Sequence, residues 1–424
     1  MAMTKEQAKE SWNPGKDPTK EAYDVIVVGG GPAGSIASMY LKKAGKKVLL
    51  IDKARFPRDK VCGDAQGRKA AMIMKELGVY EDYKNLPGVA IYGLRLSSPN
   101  GTQIDMDLID RHDGIPGYII KRVHFDNFLF QKAREFGVDI LEETEVSDIA
   151  VESGQIREIS CKSHGKKEEF ALKAKVYIAS DGAHSIFARK FVPQNPPDHI
   201  IAALRAYYKN VSGCDDKIEI HLIKNLLPGY FWIFPLPNNE ANVGLGMVIR
   251  DMGRRKINLV EALKKEIQQN PLFVERFKDA VLVDDIRGWN LPIASHHRKC
   301  YGPNFLLAGD AASLIDPLSG EGIGTAFISG KISAEVALEA LEENNFSEEF
   351  LARFDKKLWE VIGPEIEVDY RIQRLGTRFP FLIDRLVTKA AKNPEFKKKF
   401  EAYLPYTEGK KKVGTWRFIL KLLF

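Results

Sequence analysis

Two short apolar runs, residues 25–28 and 48–51, flank a stretch from Pro32 to Ala44 in which apolar residues return at helical spacing. Short unbroken apolar runs bounded by glycine read as buried strands, and a 3.6-residue period reads as a helix. Residues 23–52 therefore form a strand–helix–strand unit, with Gly45 closing the helix. A charged loop follows, holding Cys62-Gly63-Asp64, then a helical run over 70–77 ended by Gly78. Residues 89–96 and 102–108 read as two strands joined by a turn at Pro99-Asn100-Gly101. After a short apolar stretch at 117–120, an amphipathic helix opens at Arg122 and runs to about residue 136. From 138 to 176 the pattern is strands and hairpins, and the apolar run 174–179 leads into Ser180-Asp181-Gly182. Residues 200–289 alternate apolar and polar like an antiparallel sheet, interrupted by one helix near 259–269. A strand at 304–308 then runs into Gly309-Asp310. A glycine-rich turn at 319–324 starts a long helix to about 341, and 346–424 reads as helical and basic.

This order predicts an α/β fold, α+β overall. A Rossmann-like nucleotide-binding domain is assembled from 23–80, 115–195 and 290–345. A mostly antiparallel-sheet domain from 81–114 and 196–289 is inserted in it. A helical basic C-terminal region covers 346–424, and a polar, mobile lead covers 1–22. The interface between two such domains is a preferred ligand site.

Length and composition narrow the class. A chain of 424 residues has room for two or three domains, and 44% hydrophobic with 28% charged residues is ordinary for a soluble globular protein. A net charge of +6 is too small to imply nucleic acid. Cys62, Cys161, Cys214 and Cys300 are scattered without paired spacing, which fits a reducing cytosol. The start of the chain has no apolar core of a signal peptide, and no apolar run approaches the roughly 18 residues that span a bilayer.

The chemistry concentrates in the first unit. Gly29-x-Gly31-x-x-Gly34 follows a strand and opens a helix at Pro32-Ala33. Gly29 permits the sharp turn, Gly31 lets a pyrophosphate approach the backbone, and Gly34 lets helix and strand pack closely. The phosphates then meet free N–H groups at the positive end of the helix. Asp52, followed by Lys53, stands about 20 residues past the glycines, where an acid accepts from a ribose hydroxyl.

Further stretches carry a family resemblance. GGGPAG, SDGAHS and GDAASLIDPLSGEGIGTA resemble the p-hydroxybenzoate hydroxylase-type FAD flavoproteins. GYFWIFPLPNNEANVGLG, RVHFDNFL and Cys62-Gly63-Asp64 narrow the likeness to the geranylgeranyl reductase family, especially its archaeal digeranylgeranylglycerophospholipid reductases. The resemblance spans residues 23–341. It implies FAD as cofactor, contacted by Gly29, Gly31, Pro32, Ala33, Gly34, Asp52, Lys53, Cys62, Gly63, Asp64, Arg122, Asp181, Gly182, Gly309, Asp310, Gly322 and Ile323. Arg122 has two readings: a fork onto phosphate oxygens, or an ion pair with Asp126 four residues on.

The activity so implied is saturation of isolated C=C bonds in geranylgeranyl chains of a prenyl lipid. Tyr230, Trp232 and Phe234 alternate along one strand and share a face; they read either as a prenyl slot or as core packing. Cys62 reads as the proton donor or as a small residue shaping the flavin's substrate face. His296, His297 and Cys300 lack a fourth ligand, so no metal is expected. Two other functions fit parts of the pattern: a flavin aromatic-ring monooxygenase, and a non-catalytic flavoprotein that carries or senses prenyl lipids.

The implied partners are the lipid, an external electron donor (ferredoxin or NAD(P)H, since there is no second GxGxxG unit) and a membrane surface. From Lys389 to Lys421 there are ten Lys or Arg against three Glu, and the end, KKKVGTWRFILKLLF, combines basic and large apolar residues. That pattern suits an interfacial helix, placing the protein in the cytoplasm, peripheral on the cytoplasmic membrane face. The other reading is a segment covering the enzyme's own surface.

Overall fold

The computed structural model describes residues 18–112, 114–165 and 167–404. Most of the lead expected over 1–22, and the basic apolar end at 410–424, lie outside the described residues.

The apolar runs become a six-stranded sheet. Its order is Tyr301–Gly302, Phe305–Leu307, Ala174–Ala179, Tyr23–Val28, Val48–Ile51, Asp139–Leu141. All neighbours are parallel except Tyr301–Gly302. A parallel sheet is covered on both faces, which is why its strands are apolar without alternation. Val25 and Val27 pack with Ile36, Phe130 and Phe327 on one side. Ile26 and Val28 pack with Phe187, Leu306 and Phe354 on the other.

The register aligns Val28 with Ile51 and Ala179, and Ala179 with Leu307. The residues that follow these strands, Gly29, Asp52, Asp181 and Asp310, therefore emerge along one carboxyl edge. Tyr23–Val28 lies between Val48–Ile51 and Ala174–Ala179, so this edge holds the point where the strand order reverses, the usual ligand crevice of such sheets. Gly34 brings the helix Pro32–Lys43 down onto the first strand: a Cβ there would lie 1.9 Å from the Gly29 carbonyl oxygen.

A second, larger sheet runs in the order Val281–Leu282, Ile200–Lys209, Glu240–Val248, Tyr230–Leu236, Lys217–His221, Gly93–Ser97, Gln103–Asp107, and Arg287–Pro292 also pairs with Ile200–Lys209. It is antiparallel except where Lys217–His221 meets Gly93–Ser97. The single strand expected over 89–96 is divided. Gly88–Ile91 pairs with Gly117–Ile120 in a small sheet, and Gly93–Ser97 enters the large one. The crossing is at Tyr92 and Gly93. The Tyr92 N–H donates to the Asp216 carbonyl at 2.9 Å, and Gly93 packs where a Cβ would lie 2.3 Å from the Met106 carbonyl oxygen.

The helix expected near 259–269 is present as Leu259–Gln269. A shorter one, Ile249–Arg255, was not anticipated; seven residues are too few to display a helical period. The C-terminal region is helical over Glu348–Arg378, Pro380–Lys392 and Pro394–Tyr403. Val387, Ala390 and Phe400 of the last two helices pack on Ile104 and Met106 of the large sheet's end strand.

Candidate active site

A cleft of about 1240 Å³ runs from the carboxyl edge of the parallel sheet, across the face of the large sheet, to the C-terminal helices. At one end lies the glycine turn. Gly31 precedes Pro32 at the helix start, and a Cβ built on Gly31 would meet, among the described residues beyond its chain neighbours, just Nη2 of Arg58, 3.7 Å away. Backbone is thus open to a ligand exactly where the helix N–H groups lack acceptors. Asp52 is almost buried; its carboxylate accepts from the Gly30 N–H at 2.7 Å and the Ala54 N–H at 2.8 Å, and Lys53 beside it is exposed.

Arg122 forms the ion pair with Asp126 and also lines the cleft. It is buried, and its Nε and Nη2 donate to the two Asp126 oxygens at 2.6 and 2.7 Å. Burial works against the charge on Asp126, but Arg122 and Arg58 hold its carboxyl below the usual range. Arg58, which the sequence reading passed over, also donates to Asp126, at 2.8 Å, and reaches over the open backbone at Gly31. Its only signal was its place in the charged loop behind Asp52.

Three acceptors complete this end. Asp181 accepts from the Ile186 N–H through Oδ2, while its buried Oδ1 has no partner; burial raises its pKa. Gly182 follows with φ +82°, in the left-handed region. Gly309 donates its N–H to the Ser329 hydroxyl, and Asp310 pairs with Lys60 at 2.9 Å. Gly322 and Ile323 begin the helix Ile323–Glu343. The Glu321 carboxylate accepts from the Gly324 N–H at that helix start, and burial raises its pKa against the pull of Lys69. Open backbone at Gly31, the unpartnered Asp181 Oδ1 and the acids along one edge fit FAD, whose pyrophosphate needs N–H donors and whose hydroxyls need acceptors.

Next along the cleft come Tyr230, Trp232 and Phe234, on one face as their alternation predicts. Their ring centroids are 6.0 and 6.1 Å apart in sequence order, and all three line the cleft. Glycines make room for them: a Cβ on Gly244 would lie 2.2 Å from the Trp232 ring, and one on Gly63 would lie 3.0 Å from the Phe234 ring. Cys62 and Gly63 line the cleft too, with the Cys62 thiol beside the Arg122 guanidinium.

Asp64, expected at the cofactor, is held by donors of the protein itself. It is fully buried behind the loop, with φ +63°. Its carboxylate accepts from the Tyr207 hydroxyl and the Asn242 amide, and from the Arg122 N–H. Burial raises its pKa to about 6 in spite of these donors. Asn242 also donates to the Cys62 carbonyl at 2.8 Å and accepts from the Trp232 indole N–H at 2.9 Å. One amide therefore ties the cysteine loop to the aromatic strand. Neither Asn242 nor Tyr207 carried a sequence signal, because each becomes informative only when strands distant in sequence are paired.

His296, His297 and Cys300 diverge. His297 pairs with Asp355 at 2.6 Å, His296 stacks near His199, and Cys300 is buried. Among the described residues no group of three His, Cys, Asp or Glu could hold a metal ion, and no helix is long and apolar enough to cross a membrane. All four cysteines are free thiols.

A family model for the FAD binding domain matches residues 22–330. Digeranylgeranylglycerophospholipid reductase 1 of Methanopyrus kandleri is 32% identical over 80% of this chain and 86% of its own length. Among solved structures, a geranylgeranyl bacteriochlorophyll reductase-like protein from Thermoplasma acidophilum superimposes with a TM-score of 0.80. It is 26% identical over 93% of this chain and 98% of that one. A flavin-dependent brominase reaches a TM-score of 0.75 at 19% identity, covering 95% of this chain and 98% of that one, a likeness of fold alone. The glycine turn, the acid-lined edge and these matches agree: the chain belongs to the FAD binding domain family and, within it, to the digeranylgeranylglycerophospholipid reductases.

Proposed function

We propose that this chain is an FAD-dependent oxidoreductase acting on CH–CH groups, which saturates isolated C=C bonds of geranylgeranyl chains in a prenyl lipid. One observation carries the reading. The Cys62-Gly63 loop and the aromatic row Tyr230, Trp232, Phe234 meet over a single apolar cleft that is continuous with the FAD cradle. In this reading Gly29, Gly31 to Gly34, Asp52, Arg58, Asp181 and Asp310 hold the cofactor, and 23–80, 115–195 and 290–345 form its domain.

An isolated trisubstituted alkene has no carbonyl to absorb a hydride, so protonation must build a tertiary, cation-like carbon. Reduced FAD, when bound, supplies the hydride. The chain supplies the rest. The aromatic faces of the row stabilise a positive centre by about 0.5–2 kcal/mol each. Leu94, Leu96, Ile218 and Ile220 on the sheet, with Leu382 and Ile383 opposite, keep the far end apolar for the rest of the prenyl chain. Cys62 Sγ holds the proton beside the row, on a loop fixed by Asn242. With no second dinucleotide turn in the sequence, the electron donor docks transiently as ferredoxin or NAD(P)H.

The test is turnover of a geranylgeranyl lipid by photoreduced, FAD-loaded protein, followed by mass spectrometry. A gain of two hydrogens per reduced bond is the expected result. An unchanged lipid mass with FAD fully reduced would sink the reading. In the same assay Cys62→Ala should lower the rate roughly 10²–10⁴-fold if the thiol is the acid. An unchanged rate removes Cys62 from that role.

The membrane placement belongs to this proposal. At the junction of Glu348–Arg378 and Pro380–Lys392, Phe379 and Phe381 are 39% and 49% exposed, and Arg374 and Arg378 flank them. Apolar rings among basic residues suit an anionic bilayer surface. Phe379→Ser with Phe381→Ser should reduce co-sedimentation with phosphatidylglycerol vesicles at least about tenfold, since each ring contributes a few kcal/mol of burial. Undiminished binding of that double variant would move the contact elsewhere, with residues 410–424 the next segment to delete.

A further inference from the structure

Two adjacent strands of the large sheet, Ile200–Lys209 and Arg287–Pro292, hold buried donors without acceptors. Arg205 is the bulkiest fully buried side chain among the described residues, and it lines the cleft. Its Nη2 donates to Asp59 Oδ2 at 2.6 Å. Its Nη1 lies 3.7 Å from Asp284 Oδ2, too far for a hydrogen bond, and Nε and Nη1 have no partner among the described residues. The Trp289 indole N–H also lines the cleft and is likewise buried and unpaired.

The register brings these groups together. Arg205 is opposite Arg287, and Ala203 is opposite Trp289, so all lie on one face. Arg287 is half-exposed; it donates to Asp284 at 3.2 Å and stands 3.7 Å from Asp59. Burial falls off along the row from Arg205 to Arg287, which marks the cleft mouth. Asp59 and Asp284 balance the two charges, yet they leave the Nε–H and both Nη1–H bonds of Arg205 and the indole N–H unused. Leaving buried donors unmade is costly, and the N–H bonds that the two carboxylates leave unused complement a ligand made of acceptors. The planar guanidinium, always charged, donates to phosphate oxygens in particular.

The same row leads to the aromatic slot. Arg205 is opposite Gly244, and Gly244 is opposite Trp232. Trp232 and Arg205 are therefore two strand spacings apart on one face, about 10 Å. We propose that Arg205, Arg287 and Trp289 form a phosphate subsite at the mouth of the cleft. It anchors a phosphorylated ligand whose other end reaches the reaction centre. That phosphate belongs either to the headgroup of the prenyl substrate or to a nicotinamide donor. The first source rests on the proposed function; the subsite itself does not.

The test uses FAD-loaded protein, photoreduced so that no donor is needed, with geranylgeranyl phosphate and geranylgeraniol as paired substrates. The wild type should favour the phosphate through KM. Arg287→Gln, and Arg205→Lys, which keeps the charge and loses the planar array of N–H donors, should each cut that preference roughly ten- to a hundredfold. If the preference survives but reduction of bound FAD by NADPH slows by the same factor, the subsite stands and serves the donor. If both preference and NADPH reduction match the wild type in Arg287→Gln, the proposal is overturned. Should neither prenyl compound be reduced, the reductase reading fails separately. The subsite is then read from binding alone: geranylgeranyl phosphate should perturb the flavin absorbance with a Kd raised ten- to a hundredfold in Arg287→Gln, and an equal Kd overturns it.

Discussion

Gly34→Val is expected to strip the protein of FAD and to destabilise it by about 3 kcal/mol or more. A Cβ at this position would lie 1.9 Å from the Gly29 carbonyl oxygen and 2.5 Å from the Ser180 hydroxyl. The first obstacle is backbone at the carboxyl end of the buried parallel sheet's central strand, so it cannot swing aside as a side chain could. Overpacking a tight interior typically costs about 1–3 kcal/mol, and a rigid neighbour puts this case at or above the top of that range. The helix Pro32–Lys43 must lift away from the strand, and the turn from Gly29 to Gly31 that it anchors moves with it. Loss of bound flavin should therefore accompany the loss of stability, read by visible absorbance and thermal unfolding of the same sample. Gly45 is the control. Its φ is positive, +75°, but among the described residues nothing lies within 4 Å of a Cβ there. Gly45→Asn should cost no more than about 1 kcal/mol and keep the cofactor. If Gly34→Val held FAD as tightly as Gly45→Asn does, close packing of this helix would not be what shapes the cradle.

Gly34 also illustrates which parts of the structure were legible in advance. A glycine between a strand and a helix has few other uses, so the turn, its two strands and the helix could be read within a residue or two. The long helix after the second glycine turn and the antiparallel alternation of the middle third were legible for the same local reason. The division at Tyr92 was not. Residues 89–96 are apolar but for Arg95, and nothing local says that the chain changes sheets where Gly93 meets the Met106 backbone. The site divides in the same way. Tyr230, Trp232 and Phe234 share a face because a strand alternates. Arg122 pairs with Asp126 because both are buried and a carboxylate four residues away is the nearest counter-charge. Asn242, Tyr207, Arg58 and Arg205 were invisible for a different reason. Each owes its role to a partner at least 60 positions away in the chain, and a single sequence does not pair strands.

Trp232→Ala is expected to lower turnover of a prenyl alkene by roughly a hundredfold while the flavin spectrum stays unchanged. The indole sits between Tyr230 and Phe234, over Gly244, and is 7% exposed. Truncating a packed Trp typically costs about 3–5 kcal/mol in stability. Here one side of the ring borders the cleft, so the low end of that range applies and the fold survives. The functional loss has two parts. A cation-like carbon loses one aromatic face, about 0.5–2 kcal/mol, and the slot widens, so the alkene is held less closely to its reaction partners. A third effect runs through Asn242, whose Oδ1 loses the indole N–H and whose amide steadies the Cys62 carbonyl. Trp232→Phe separates these contributions. It keeps an aromatic face and a narrowed slot but removes the hydrogen bond. If the face matters most, Trp232→Phe should stay within about tenfold of the wild type, and Trp232→Ala should fall mainly in kcat. If the hydrogen bond matters most, both variants should fall together, and Asn242→Leu should reproduce them. Wild-type turnover by Trp232→Ala with FAD in place would reduce the row to core packing, and the slot would have to be sought along Leu94, Ile218 and Ile220 instead.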